Sequence, residues 1–312
     1  MSLSLLIVYI SWTEESLHEP MYIFICNLFV NVIFGSSAFY PKLFVDLFSR
    51  SSTISLTGCL SQAFCVQTSA CIEIFTFTAM AFDRYLAVGH PLRYPTLMAN
   101  LTSQKLLLAI WVFSFMFEIS GILLTARLTF CSENIDNLFC EVFSLQRLAC
   151  GDISINSTFG TSMTLFIVGS CVLVIIYSYI RTVIICLRFS VEASQKATQT
   201  LVTHLMAFST FMLGSMFLAF RYRLSIGSIP MTAQVVITLC GSCTAITVNP
   251  FIYGIRTQLL RGNEGFFLYY TFFMHNLNRV YGWDNKTVTF IKKAQQRMYH
   301  LQQLKKCGLL QK

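Results

Sequence analysis

The sequence predicts an all-α membrane protein, a bundle of seven transmembrane helices in which the first helix is truncated. Hydrophobic residues make up 55% of the 312 residues and charged residues 12%, about half of the roughly 25% found in soluble domains. Six segments are apolar over the roughly 20 residues that a membrane-spanning helix needs, and a seventh, shorter apolar segment opens the chain. This composition excludes a disordered chain, a coiled coil and an ordinary cytosolic enzyme.

The opening apolar segment, residues 1–13, is too short to cross a bilayer. Thirteen residues extend roughly 20 Å as a helix, whereas the hydrocarbon layer is roughly 30 Å thick. No basic residue precedes the apolar run and no small-residue cleavage site follows it, which argues against a signal peptide. We interpret the segment as the second half of a first helix, and we expect such a chain to reach the cell surface poorly.

Six full-length spans follow this segment. Their central parts contain almost no charge, and Glu73 in the third helix and Glu118 in the fourth are the acidic exceptions. The predicted spans cover approximately residues 20–46, 58–88, 104–126, 155–187, 194–220 and 230–255.

The charge is concentrated at the C-terminus. Residues 1–253 hold 12 basic and 12 acidic residues, whereas residues 254–312 hold ten basic and two acidic ones and so carry the whole net charge of +8. We therefore divide the chain into a seven-helix domain, residues 1–262, and an atypical basic tail, residues 263–312. The loops on the side of the tail, counted with it, hold 16 Lys and Arg against six on the other side. The positive-inside rule then places the tail in the cytoplasm and the N-terminus outside. Without the tail, each side holds six Lys and Arg.

Four of the twelve cysteines lie at a helix end or in the long loop 127–152: Cys59, Cys131, Cys140 and Cys150. Disulfides persist in oxidising compartments. Three loop cysteines that face a fourth at a helix end are typical of two bridges outside the cytoplasm, which agrees with a cytoplasmic tail. Free thiols are the alternative.

Five sequence motifs, spread between residues 17 and 253, are specific in combination. The longest, MAFDRYLAVGHPLRY at residues 80–94, closely resembles the third-helix signature of the odorant receptors, a family of rhodopsin-like G-protein-coupled receptors. The other four resemble the start of the second helix, the end of the fifth, the start of the sixth and the end of the seventh. They are LHEPMY at 17–22, SYIR at 178–181, KATQTLVTHL at 196–205 and NPFIY at 249–253. The resemblance covers residues 1–262 and implies a receptor that binds a small odorant within the helix bundle. It also implies activation of a heterotrimeric G protein of the class that raises cAMP.

The motifs contain the residues of the implied activation switch. Asp83 and Arg84 end a long apolar helix, where ionisable residues are expensive and usually paired. The resemblance implies that Arg84 is locked at rest and released to meet the G protein; a snorkelling pair at the interface is the alternative. The remaining residues assigned to the switch are Tyr85, Tyr179, His204, Asn249, Pro250 and Tyr253.

A proline near the end of the seventh helix adds a hinge to this switch. Pro250 removes a backbone donor and clashes with the preceding turn, and neighbouring polar groups can satisfy the freed carbonyl. Tyr253 can swing on such a hinge. A static kink is the alternative.

Two polar residues are expected inside the bundle, Glu73 and Asn31. A lone buried carboxylate is a functional candidate by default, and the resemblance implies an ion or water site around Glu73. However, Asn31 and Val32 stand near the position where the family usually carries an acidic residue in the second helix. A protonated Glu73 that bonds Asn31 or Asn249 is the alternative. Glu118 has no role that the resemblance assigns.

The resemblance also implies the disulfide pairing, Cys59 with Cys140 and Cys131 with Cys150. These bridges would hold the long loop as a lid over the ligand cavity.

Helical spacing predicts which residues line that cavity, since positions three and four apart share a face. Apolar and methionine-rich walls suit a small, weakly polar ligand, and ordinary helix packing is the alternative for each residue. No acidic residue stands at the cavity positions of the third helix, so a cation held there by a salt bridge is not expected. The predicted lining is Val66, Gln67, Ala70, Cys71, Met163, Ile167, Met212, Ser215 and Ala219.

No catalytic, metal-binding or phosphate-binding pattern stands out. We therefore expect a receptor that is not an enzyme, without cofactor, metal or nucleic-acid partner, in the lipid of the cell membrane. A transporter or channel would need a polar pathway or inverted repeats, neither of which is present. The other alternative is a non-signalling, pseudogene-like product.

The tail departs from the family after Arg261. Residues 266–274 form an aromatic run, and residues 286–306 have the pattern of a basic amphipathic helix, typical of a peripheral membrane helix. Residues 292–306 are also similar to a segment of retrotransposon reverse transcriptases, which would make the tail a fusion.

Overall fold

The computed structural model describes residues 20–48, 53–132, 135, 139–187, 202 and 205–214. In these ranges the chain forms four long helices and three short ones. They are α1 (Pro20–Phe48), α2 (Leu56–Gly89), α3 (Tyr94–Leu97), α4 (Asn100–Ala126), α5 (Val142–Gln146), α6 (Ser154–Cys186) and α7 (Leu205–Gly214).

Several predictions concern residues outside these ranges. They are the partial helix at 1–13, the span 230–255, most of the span 194–220 and the basic tail. By its contacts the chain divides into two units, Met1–Gly254 and Ile255–Lys312, and every described residue belongs to the first.

The four long helices are each long and apolar enough to cross a membrane. They contain 29, 34, 27 and 33 residues, and at about 1.5 Å per residue each exceeds the roughly 30 Å of a bilayer's hydrocarbon. They correspond to the first four of the six predicted full-length spans, which are the second to fifth helices of the predicted seven, and α4 begins four residues before its predicted start.

Local sequence explains where α2 begins and ends. The side chain of Ser55 caps the first turn by accepting a hydrogen bond from the backbone N–H of Gly58 at 3.2 Å, which satisfies one of the free donors of a helix start. The helix ends at Gly89, and Pro91 follows. A residue before proline is pushed out of the helical region, so the chain turns here into the short helix α3.

Helix α2 lies at the centre, packed against α1, α4 and α6. Polar contacts join α1 to its neighbours: Asn27 donates to the Thr76 hydroxyl at 2.9 Å and accepts from the Trp111 indole at 2.7 Å. Such interhelical bonds and small-residue contacts hold helices together in membranes.

Helices α4 and α6 instead present apolar side chains outward. Leu108, Met116, Leu165 and Phe166 are each about two-thirds exposed. Large apolar side chains on the outside of long helices fit a surface that meets lipid, because lipid tails do not drive such side chains inward.

Candidate functional site

The carboxylate of Asp83 is the centre of a polar cluster at the C-terminal end of α2. Its side chain is fully buried. One oxygen accepts from Arg84, with Nε at 2.9 Å and Nη2 at 2.5 Å. The other accepts from the Tyr94 hydroxyl at 2.8 Å. Hydrogen bonds to an ionised group are the stronger kind, so Asp83 fixes both Arg84 and the start of α3. We call this part of the helix the Asp83 end.

The Asp83 end also packs against α6. The Tyr85 ring meets the Tyr177 ring edge-on with centroids 5.9 Å apart. A Cβ on Gly89 would lie 3.2 Å from the Ile185 side chain, so the two helices approach closely. Tyr179 is buried on the same helix, α6.

The remaining switch residues cannot be placed beside this cluster. The predicted residues His204, Asn249, Pro250 and Tyr253 lie outside the described part of the chain.

The opposite end of α2 is tied to the long loop by covalent bonds, and we call it the Cys59 end. A disulfide joins Cys59 to Cys140, with Cα atoms 5.2 Å apart, and a second joins Cys131 to Cys150 within the loop at 5.4 Å. The Cys59–Cys140 pair is buried in a cluster with Ala63 and Leu145.

A glutamine that was not among the predicted site residues reinforces this end. Gln62 accepts from the Cys140 backbone N–H at 2.8 Å and donates to the Ala38 carbonyl of α1 at 3.1 Å. Its position, one turn after Cys59 on α2, is the signal that could have identified it.

A cavity lies between α2, α4, α5 and α6. It contains about 510 Å³ of empty space, counting the part that is open to its surroundings. The polar side chains that line it are Gln67 of α2, Glu118 of α4, Gln146 of α5, and Asn156 and Thr164 of α6. The loop helix α5 covers one side, so the disulfide-held loop forms part of the cavity wall.

The predicted pocket residues are distributed over several environments. Gln67 is the member of the predicted set that lines this cavity. Val66 instead packs against Phe39, Leu43 and Phe139. Ile167 and Met212 belong to a common apolar cluster with Ile74 and Cys171.

The rest of the set lies elsewhere. Cys71 is buried, whereas Ala70 and Met163 are exposed. Ser215 and Ala219 lie outside the described residues.

The two buried polar residues lie on facing helices. Asn31 of α1 is fully buried and donates to the Ser69 carbonyl of α2 at 2.8 Å. Glu73 is buried one turn further along α2. Asn249, the alternative partner of Glu73, is outside the described residues. Within those residues no group of three or more His, Cys, Asp or Glu side chains could hold a metal.

Glu118, Gln146 and Asn156 are polar residues of the cavity to which the sequence assigned no role in ligand binding. Glu118 carried a signal, because a lone carboxylate in an apolar span is a functional candidate by default. Asn156 and Gln146 carried none, since nothing in the sequence says which part of the loop and of α6 will face α4.

The fold is similar to the crystal structure of squid rhodopsin. The TM-score is 0.65 at 16% sequence identity, over 83% of this chain and 74% of that chain. This likeness confirms the predicted all-α bundle of seven transmembrane helices.

Sequence comparison is more specific. The family profile described as "Olfactory receptor" matches residues 2–264. Olfactory receptor 1D2 of Pongo pygmaeus is 34% identical over 264 residues, which cover 84% of this chain and 83% of the relative. Olfactory receptor 1500 of Rattus norvegicus is 31% identical over 262 residues, 82% and 81% of the two chains. These relatives are receptors, not enzymes. Because its long helices are apolar enough to cross a membrane and because it matches these receptors over most of its length, the chain is a multi-pass membrane protein that belongs to the olfactory receptor family.

Proposed function

We propose that this chain is an odorant receptor that binds a small, mostly apolar ligand within its helix bundle and activates a heterotrimeric G protein of the cAMP-raising class. Its membership of the olfactory receptor family supports this function. The same membership disfavours the alternatives of a transporter, a channel or a non-signalling product.

The observation that carries the signalling part is the buried Asp83 cluster. Arg84 is held by one oxygen of Asp83 while Tyr94 occupies the other, so Arg84 is fixed without a covalent bond. Release of Arg84 would expose a guanidinium with several donors to a partner. This is the chemistry expected of a switch that a G protein reads.

Ligand binding is assigned to the opposite half of the bundle. The Cys59–Cys140 bridge holds the loop over a cavity that Gln67 lines. The apolar cluster that contains Ile167 and Met212 lies on neighbouring helices and would transmit a change in the cavity toward α7.

The test is ligand-evoked cAMP in cells that carry the full chain, measured with a mixed odorant panel and normalised to surface-labelled receptor. We expect a response that Arg84→Ala abolishes. Arg127→Ala, which removes the same kind of side chain immediately after the C-terminal end of α4, should preserve the response. An equal response from Arg84→Ala and the unsubstituted chain would contradict the role of Arg84. Silence from the unsubstituted chain against every odorant would contradict the receptor function.

The orientation and the tail form part of the same proposal. The charge distribution favours an outside N-terminus and a cytoplasmic tail, and an epitope on each terminus, labelled with and without permeabilisation, tests this. Tail residues 263–312, whether a peripheral helix or a fused reverse-transcriptase-like segment, are assigned no part in signalling. Their deletion should therefore leave the cAMP response per surface receptor unchanged.

A further inference from the structure

Two buried polar atoms of the cavity have no hydrogen-bond partner in the described part of the chain. They are Oε1 of Gln67, an acceptor, and Nδ2 of Asn156, a donor. Asn156 is 7% exposed. An unsatisfied polar atom in a buried site is energetically unfavourable, and both atoms belong to residues that line the same cavity. Both atoms are therefore open to a polar group that enters the cavity, as far as the described residues go.

Glu118 adds a carboxyl group to the same wall. It is half-buried on α4, and the described residues that line the cavity include no Lys, Arg or His. The ion pairs found among the described residues, Lys42–Asp46 and Asp83–Arg84, lie elsewhere. An acidic side chain inside a bundle is normally paired, and none of the described residues supplies a cation to Glu118.

The remaining wall suits a positively charged group with an apolar body. Phe117 and Phe159 line the cavity, with ring centroids 6.3 Å apart. Aromatic faces attract ammonium groups when these are removed from water. The two rings lie on the same helices as Glu118 and Asn156, so acidic, amide and aromatic groups meet in one cavity.

We propose that this cavity is a binding site for small organic amines in their protonated form. The ammonium N–H groups would donate to the Glu118 carboxylate and to Oε1 of Gln67, while the hydrocarbon part packs on the phenylalanine rings. Asn156 would donate to an oxygen acceptor where the ligand carries one. This inference rests on the proposed function, because it names the ligand class of that receptor.

The experiment compares amines with alcohols of the same shape. Hexylamine with hexanol and cyclohexylamine with cyclohexanol are tested near pH 7, where a simple amine is protonated. Binding is read from the thermal stabilisation of the detergent-solubilised full chain, and signalling is read separately from cAMP in cells. We expect each amine to stabilise the unsubstituted chain at a concentration at least about tenfold lower than its alcohol.

Three variants locate the effect. Glu118→Gln keeps the size and removes the charge, and it should raise the amine concentration needed by at least about tenfold while leaving the alcohols unchanged. Gln67→Met removes the second acceptor and should raise the amine concentration needed for stabilisation by a smaller factor. Asp152→Asn removes a negative charge from an exposed loop position outside the cavity. It should change neither the amine nor the alcohol concentration needed for stabilisation. This control separates pairing inside the cavity from a general attraction of cations to the protein.

The outcomes distinguish this inference from the receptor function. Amine binding that depends on Glu118 supports the site even when cAMP does not rise, and that silence would count against the proposed function. Neutral odorants that raise cAMP while amines neither bind nor signal would overturn the site and retain the receptor. Equal binding of amines and alcohols to the unsubstituted chain overturns the site without need of any variant. So does unchanged amine binding in a folded Glu118→Gln variant.

Discussion

The two ends of α2 are held in different ways. At the Cys59 end a disulfide to Cys140 ties the helix to the loop, and Gln62 extends the tie to α1. At the Asp83 end, hydrogen bonds from Arg84 and Tyr94 hold the helix. A covalent bond persists through any movement of the helix, whereas hydrogen bonds to charged groups contribute about 1.5–3 kcal/mol each and can be exchanged. One end is thus built to stay fixed and the other to change partners.

Removing the covalent tie should have the largest effect on stability. The Cys59–Cys140 bridge spans 81 residues and the Cys131–Cys150 bridge 19. In the chain-entropy description these loops correspond to about 4.5 and about 3.2 kcal/mol of the free energy of unfolding. We expect the double variant Cys59→Ser with Cys140→Ser to lower the midpoint of thermal unfolding more than Cys131→Ser with Cys150→Ser.

Each double variant removes both partners of a bridge, so neither leaves a free thiol that could pair wrongly. An equal or larger loss from the 131–150 pair would show that the tether to α2 is not the principal restraint of the Cys59 end.

Between the two ends, a close helix contact fixes α2 against α1. A Cβ on Gly35 would lie 2.5 Å from the Ser69 hydroxyl and 2.9 Å from its Cβ. Gly35→Ala should therefore lower the free energy of unfolding by about 1–3 kcal/mol, as overpacking does. The thermal unfolding midpoint of the purified chain measures this.

The second variant, Ser69→Gly, should rescue Gly35→Ala because it removes the atoms in the way. Gly169→Ala is the matched control, since no atom of the described residues lies within 4 Å of the added Cβ and alanine favours a helix by up to about 1 kcal/mol. An unchanged unfolding midpoint in Gly35→Ala would mean that α1 and α2 can move apart at this point without lowering the free energy of unfolding.

The Asp83 end should respond in signalling more than in stability. Tyr94→Phe removes the hydroxyl that donates to Asp83 at 2.8 Å and so loosens the restraint on Arg84. A loss of about 1.5 kcal/mol corresponds to about a tenfold shift in the resting equilibrium. We expect higher cAMP without ligand, normalised to surface receptor.

Tyr177→Phe removes the same atom from a ring that packs nearby on Tyr85, and it should leave basal cAMP unchanged. Basal cAMP that is lower in Tyr94→Phe would show that the hydroxyl supports the active state instead.

The sequence was sufficient for the long helices because a membrane demands long apolar runs. α1, α2, α4 and α6 coincide with predicted spans to within a few residues, since the charges and prolines that bound such runs also end the helices. The polar loop between α4 and α6 shows neither a helical nor a strand-like hydrophobic period. Nothing in residues 127–152 indicated that α5 would cover the cavity or that Gln146 would line it.

The cavity lining was harder to predict for a geometric reason. Val66 and Gln67 are neighbours in sequence, yet successive residues of an α-helix point about 100° apart. Val66 therefore faces Phe39 of α1 while Gln67 faces α4 and α6. Helical spacing tells which residues share a face, but it does not tell which neighbouring helix that face meets.

The smallest expected effect belongs to the loop beside the Cys59 end. Asp152 lies two residues after Cys150 and accepts hydrogen bonds from the backbone N–H of Ser154 at 2.9 Å and from its hydroxyl. These bonds hold the pKa of Asp152 below its ordinary value of 3.8. Because the pKa is lower in the folded state than in the unfolded one, the bonds stabilise the fold above the unfolded value. This contribution is lost as the pH falls through the folded value.

Asp152→Asn keeps an acceptor for Ser154 but cannot titrate, so it isolates this contribution. The unfolding midpoints of the two chains should differ most near neutral pH and converge as the pH falls below the ordinary value of 3.8. The convergence should be small, since the side chain is exposed to water and solvent screens its charge. A difference that stays constant as the pH falls would mean that the start of α6 is held by the disulfide-bonded loop alone. The contrast between covalent and polar restraint would then apply within the Cys59 end as well as between the two ends of α2.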